Sequence, residues 1–261
     1  MKLTRVVTAM LALALCAAAP GARAQSTDAE LTFNTGLTHL REGRLDMALE
    51  SFRKAISQDP KNPYFYKGLG IALTQAANRC GEDQKCRMSR LEEAIAASRK
   101  ALEINPYYTD ARNDLGTTLV LAGRHEEGKK ELLAAYEDAM NPTPEMSARN
   151  LGQAYFEEKN YQQAQSWAST AANRNKLYID AHLLLADALV AQNKLEDAVL
   201  ALEVGLKANP NNPALMLALG QACFKAGRFA DARGYLEQVA GRDPTGPFGR
   251  KAAELLQSFP R

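Results

Sequence analysis

The chain has 261 residues, 46% of them hydrophobic and 24% charged, with 11 prolines, a composition that excludes a disordered, collagen-like or multispanning protein. Its 32 Lys and Arg against 30 Asp and Glu leave a formal charge of +2, too balanced for a phosphate-neutralising surface. A nucleic-acid partner is therefore not expected.

Residues 1–24 read as a secretory signal. Lys2 and Arg5 precede an apolar run from Val6 to Ala19, Pro20-Gly21 breaks the helix, and Ala22-Arg23-Ala24 offers small residues at −3 and −1 of a cleavage site. The run is shorter than the ~20 residues that span a bilayer, and no later apolar segment is longer, so no transmembrane span is expected. Loss of Lys2, Arg5 and Arg23 leaves the basic count one below the acidic count in an exported, periplasmic chain. Leu13-Ala14-Leu15-Cys16 resembles a lipoprotein box, but Leu15 stands where a small residue is expected, so soluble export is preferred to a lipid anchor at Cys16. Residues 25–28 are expected to form a loose start.

The stretch 29–246 repeats. Gly36, Gly70, Gly116, Gly152, Ala186 and Gly220 recur with a period of about 34 residues, lengthened between Gly70 and Gly116. Ala48, Ala94, Gly128, Ala164, Ala198 and Ala232 follow at a constant offset, except in the second unit, where a doubled offset reveals an insertion. Pro60, Pro106, Pro210 and Pro244 follow at the same offset again, with Met140 and Lys176 replacing Pro in the third and fourth units. The units run 29–62, 63–108, 109–144, 145–178, 179–212 and 213–246, each with an A and a B helix. Small residues in the first two columns let the helices of a pair approach closely, and proline ends the second. In the tail 247–261, Ala252, Leu255, Leu256 and Phe259 fall on one helical face, which predicts a capping helix from about Phe248.

The insertion, near 76–89, carries Cys80 and Cys86 around a polar tip. In an oxidising compartment they should form a disulfide, and a loop this short contributes about 2 kcal/mol by the chain-entropy argument. Zinc wants four ligands and the insert has no histidine, so no metal is expected. Cys223 falls on an apolar helix face, where a buried inert thiol is the default.

The pattern Gly36, Ala48, Phe52, Ala55, Pro60, repeated as Gly220, Ala232, Leu236, Val239, Pro244, resembles the tetratricopeptide repeat. The resemblance implies an all-α, right-handed superhelical solenoid of about six helix-turn-helix repeats whose A helices line a concave protein-binding face. One row of those helices reads Phe33, Lys67, Asn113, Arg149, Leu183 and Leu217, and a second includes Leu40, Val120, Phe156 and Phe224. Lys67, Asn113 and Arg149 at mid-length would suit an extended or helical peptide with an acidic group. The competing reading is that neighbouring helices bury the apolar members. The Lys–Asn carboxylate clamp of some family members is not carried over, because Ile71 follows Lys67 by one turn.

Catalysis finds no support. His39 and His182 fall within A helices and His125 in an inter-helix turn; Glu126-Glu127 and Glu157-Glu158 read as solvated turn residues, and no nucleophile motif or phosphate loop is present. No catalytic residue and no cofactor are expected.

Asn141-Pro142-Thr143-Pro144-Glu145, running into Asn150-Leu151-Gly152-Gln153-Ala154-Tyr155, also resembles the linker between middle repeats of pilotin-type proteins of type IV pili and related motility systems. Thr143 as an N-cap before Pro144 would explain the same residues as an ordinary helix start. The narrower resemblance implies an envelope protein that assists assembly of an outer-membrane pore. A scaffold subunit of a gliding-motility complex and a cytochrome-maturation helper use the same fold. Mass spectrometry of the mature protein should find Gln25 at its N-terminus; a diacylated Cys16 would overturn soluble export.

Overall fold

The computed structural model describes residues 20–259, with side chains from residue 27 onward. Cys16 and most of the expected signal lie outside the described residues. The described part forms thirteen helices and no strand: α1 (Pro20–Arg41), α2 (Leu45–Gln58), α3 (Pro63–Arg79), α4 (Gln84–Ile104), α5 (Thr109–Leu121), α6 (His125–Glu137), α7 (Pro144–Glu157), α8 (Tyr161–Arg174), α9 (Ile179–Ala191), α10 (Leu195–Ala208), α11 (Pro213–Lys225), α12 (Phe229–Arg242) and α13 (Pro247–Gln257). Odd-numbered helices α1 to α11 are the A helices of six antiparallel pairs. Each A helix packs on the B helix after it and also on the A helix of the next unit, whereas successive B helices make no comparable contact. The A row is therefore the tighter one, and the solenoid curves with its A helices on the inside.

Close approach within a pair rests on the two small columns. A methyl group on Gly128 of α6 would lie 2.7 Å from the Gly116 carbonyl oxygen of α5, and one on Gly116 would lie 2.9 Å from the Gly128 carbonyl. Both neighbours are backbone, so neither can give way by a rotamer change. Elsewhere the space beside the glycine is filled by a B-helix side chain, Phe52 against Gly36 and Leu236 against Gly220. Phe52, Leu132 and Leu236 are almost completely buried, each contributing roughly 2–3 kcal/mol of apolar burial.

The A-to-B turns show a column that composition alone does not reveal. Gly43, Gly123, Lys159, Asn193 and Gly227 all adopt φ between 58° and 78°. Each ends its A helix in the same way: the next amide donates five residues back, as Arg124 N does to Leu119 O and Asn160 N to Tyr155 O, both at 2.9 Å. The B-to-A turns are closed by side chains, with Asp59, Asn105, Asp138 and Asn175 each accepting from the amide two residues on. The third B-to-A connection runs longer, from Asp138 to Thr143, because the third unit is itself longer; α6 also has 13 residues where α2, α8, α10 and α12 have 14.

Several sequence expectations are corrected. Residues 25–28 are not a loose start but part of α1, whose Ala29 is fully buried against Phe65 and Ala55. His125, expected in a turn, is the first residue of α6, and Glu126-Glu127 form that helix's first turn, where the dipole favours carboxylates. Glu157 is the last residue of α7 rather than a turn residue, while Glu158 caps the helix in the turn as expected. Thr143 does occupy the N-cap of α7 with Pro144 next, but its side chain makes no capping hydrogen bond. The insertion is mostly helix: α3 and α4 lengthen to 17 and 21 residues around a short turn. There Cys80 and Cys86 are joined, with Cα atoms 5.8 Å apart, and Asp83 caps α4 by accepting from Cys86 N at 2.9 Å. Helix α13 covers the end of the array with Ala252 buried and Phe259 against Phe224, ring centres 4.8 Å apart.

Two substitutions should move stability in opposite directions. Gly128→Ala should cost about 1–3 kcal/mol through the clash with the Gly116 carbonyl, although alanine is the better helix former by about 1 kcal/mol. Lys159→Gly should gain up to about 1 kcal/mol by relieving a left-handed lysine. Urea unfolding followed by circular dichroism reads both.

Candidate functional site

The middle of the inner face is built by α3, α5 and α7, and its polar residues are already connected to one another. Lys67 of α3 donates to Asp110 of α5 at 2.8 Å, and its ammonium lies 5.5 Å from the centre of the Tyr108 ring. Asn150 of α7 donates to Asn113 of α5 at 3.1 Å and accepts from Arg149 Nη1 at 3.3 Å. The hydroxyls of Thr74 and Thr118 lie 3.2 Å apart, bridging α3 and α5. Two clefts open between these helices, one of about 250 Å³ bounded by Lys67, Asp110 and the Asn141-Pro142-Thr143 connection, the other of about 240 Å³ bounded by Ile71, Thr74 and Asn150. Asn113, Asp114 and Met146 line both.

Of the residues proposed from sequence, only Lys67, Asn113 and Arg149 form a polar line across consecutive units, and the structure changes what they offer. Lys67 is committed to Asp110, so it is not a free cation awaiting an acidic group. Asn113 is buried and its carbonyl is taken by Asn150, while Arg149 Nε is sealed from solvent without a partner. Two of the apolar members are core and the other five are half-buried. Val120 and Leu217 are only 6% and 7% exposed, because each is covered by the facing B helix or the next unit. Phe33 stacks with Phe52 and Phe65, Leu40 joins the same first cluster, and Leu183 packs into the cluster of α9 to α12. Phe156 meets Tyr161 at 5.3 Å, and Phe224 is overlaid by Phe259, just beyond α13.

Asp110 and Asp114 are not among the residues that the sequence singled out, and Asn150 enters there only through the linker motif, though a signal for Asp114 is present. Asp114 occupies the column of Asn34, Gly68, Asn150, Leu184 and Ala218, where Gly68 and Leu184 are buried. A carboxylate among such neighbours is an anomaly in register. Burial pushes Asp114 up from the ordinary 3.8 to about 6; Asp110 adds to the rise, while Lys67 and a hydrogen bond from Asn113 oppose it. Its Oδ2 is buried without a hydrogen-bond partner.

Residues 28–75 match a family described as TPR repeat, and residues 87–108 and 183–247 match families described as tetratricopeptide repeat. The chain is a tetratricopeptide repeat protein. Among solved structures, this tetratricopeptide array superposes on Pseudomonas aeruginosa PilF with a TM-score of 0.64 at 20% identity, over 90% of this chain and 99% of that one. It matches PilW, described as a widely conserved type IV pilus biogenesis factor, with a TM-score of 0.64 at 18% identity, over 86% and 98% of the two chains. At these identities the likeness is one of fold. A curated relative, the CTR9 homolog of Arabidopsis thaliana, is 25% identical over 223 residues, covering 83% of this chain but only 19% of that protein's length. The tetratricopeptide fold is a protein-interaction scaffold, and among the described residues no helix is long and apolar enough to cross a membrane.

The raised Asp114 makes a signed prediction. With the folded carboxyl titrating at about 6 and the unfolded one near 3.8, the folded state holds the extra proton between those values, so stability falls as pH rises through that window. At about 1.4 kcal/mol per tenfold in ionisation constant, the ionised form costs on the order of 3 kcal/mol at neutral pH. Asp114→Asn should therefore be the more stable protein at pH 7.5 and lose its advantage below pH 4, as read by urea midpoints at the two pH values.

Proposed function

We propose that this protein is an exported, non-enzymatic scaffold of the bacterial envelope that holds segments of other envelope proteins in its concave groove while a motility or secretion machine assembles, in the manner of a pilotin. The observation that carries the reading is the end-to-end correspondence with PilF and PilW: nearly the whole of each of those chains is matched by most of this one. A fragmentary match would point to repeats in general; a match over nearly all of each of those chains supports a molecule of the same overall architecture. The signal read in residues 1–24 agrees with it. The pair Cys80 and Cys86 lies outside the pilotin pattern and suits an oxidising compartment.

A deletion strain tests the reading. Loss of detergent-resistant secretin multimers and of pilus-dependent motility is the expected outcome; loss of gliding alone, or of haem attachment to cytochromes, would overturn the pilotin role in favour of the corresponding machine. Complementation locates the face used. Met146 is 44% exposed on the wall shared by both clefts, so Met146→Trp should leave stability within about 0.5 kcal/mol yet fail to restore the function.

A further inference from the structure

Asp114 is an expensive residue in a place where the other repeats put something cheap. Its carboxylate forms part of the wall between the two clefts, and its Oδ2 is sealed with no hydrogen-bond donor. Asn113 already hydrogen-bonds the carboxyl, and the other donors nearby have partners of their own. Lys67 bonds Asp110, the Asn150 amide bonds Asn113, and the Thr74 and Thr118 hydroxyls, 3.2 Å apart, reach carbonyls of their own helices. Among the residues lining the two clefts, Lys67, Asp110 and Asp114 carry the formal charges, so the pair Lys67–Asp110 cancels and one negative charge remains. An acidic ligand would meet that charge; a cationic one would complete it.

From this we infer that the groove recognises an extended segment of a partner protein that places a lysine or arginine side chain against Asp114. The proposal rests on the reading of the concave face as the docking site and reverses the charge that the sequence suggested for the ligand. The surroundings suit such a side chain: Met146 and Ile71 give apolar walls for its methylene stem, and the carboxylate supplies the acceptor at the end. Because Asn113, Asp114 and Met146 line both clefts, an extended chain crossing this wall would have a cleft on either side of the anchor. Burial raises Asp114 against the opposing pull of Lys67 and the Asn113 hydrogen bond, and a bound cation would hold it ionised. Stability lost to a buried carboxylate with one oxygen unpaired is what a binding residue costs when its partner belongs to another molecule.

The test uses the full mature protein on an immobilised positional-scanning library of N-acetylated, C-amidated nonapeptides. Wild-type protein should retain peptides with lysine or arginine at one position on the order of tenfold over norleucine. Asp114→Asn should abolish that preference and keep the apolar preferences at flanking positions. Asp114→Leu, which copies Leu184 in the same column, is a second variant with the same expectation, and urea unfolding checks that each is folded. Retention of peptides with an acidic or uncharged preference, or a basic preference unchanged in both variants, overturns the cation assignment and leaves the groove itself standing as a docking face. No retention of any peptide by the wild-type protein overturns the groove along with it.

Discussion

Everything in this molecule depends on how closely the two helices of each pair can approach. Where Gly116 faces Gly128, the backbones sit so near that a single methyl group would meet a carbonyl oxygen inside van der Waals distance. That spacing lets one B-helix side chain per unit, such as Leu132 or Leu236, fill the seam, and it sets the angle at which the next pair must stack. Since successive A helices meet and successive B helices do not, the stack bends inward along the A row. A curved inner face is thus a consequence of backbone contact.

The same packing decides which residues can act. At the ends of the inner row Leu217 is spent on the core and Phe33 packs against Phe52 and Phe65, as Val120 does on the next row against its facing helix. In the middle of the array the same row and its neighbours carry polar residues instead, Lys67, Asp110, Asn113, Asp114 and Asn150. Their hydrogen bonds run from α3 to α5 and from α5 to α7, so the polar line ties repeats together as well as facing the groove. The longer connection after α6 adds to this, since its Asn141, Pro142 and Thr143 form one side of a cleft. Asp114 is the exception to the economy of the line, because its Oδ2 remains without a donor.

Sequence alone determined the repeat. The columns at Gly36 and Ala48 and their successors, the prolines that follow, and the amphipathic tail specify an all-helical array, because a regular period requires the same small contact to recur in each pair. The insertion and its two cysteines were equally legible as a break in that register. Less visible was the turn column of Gly43, Gly123, Lys159, Asn193 and Gly227, whose common left-handed backbone is hidden by three different residue types. Tertiary structure alone decided the site. Whether Lys67 is a free cation depends on Asp110, which lies 43 residues away and reaches it only through the stacking of neighbouring units. Periodicity places a residue on a face, but charge pairing across the stack decides what that face can bind.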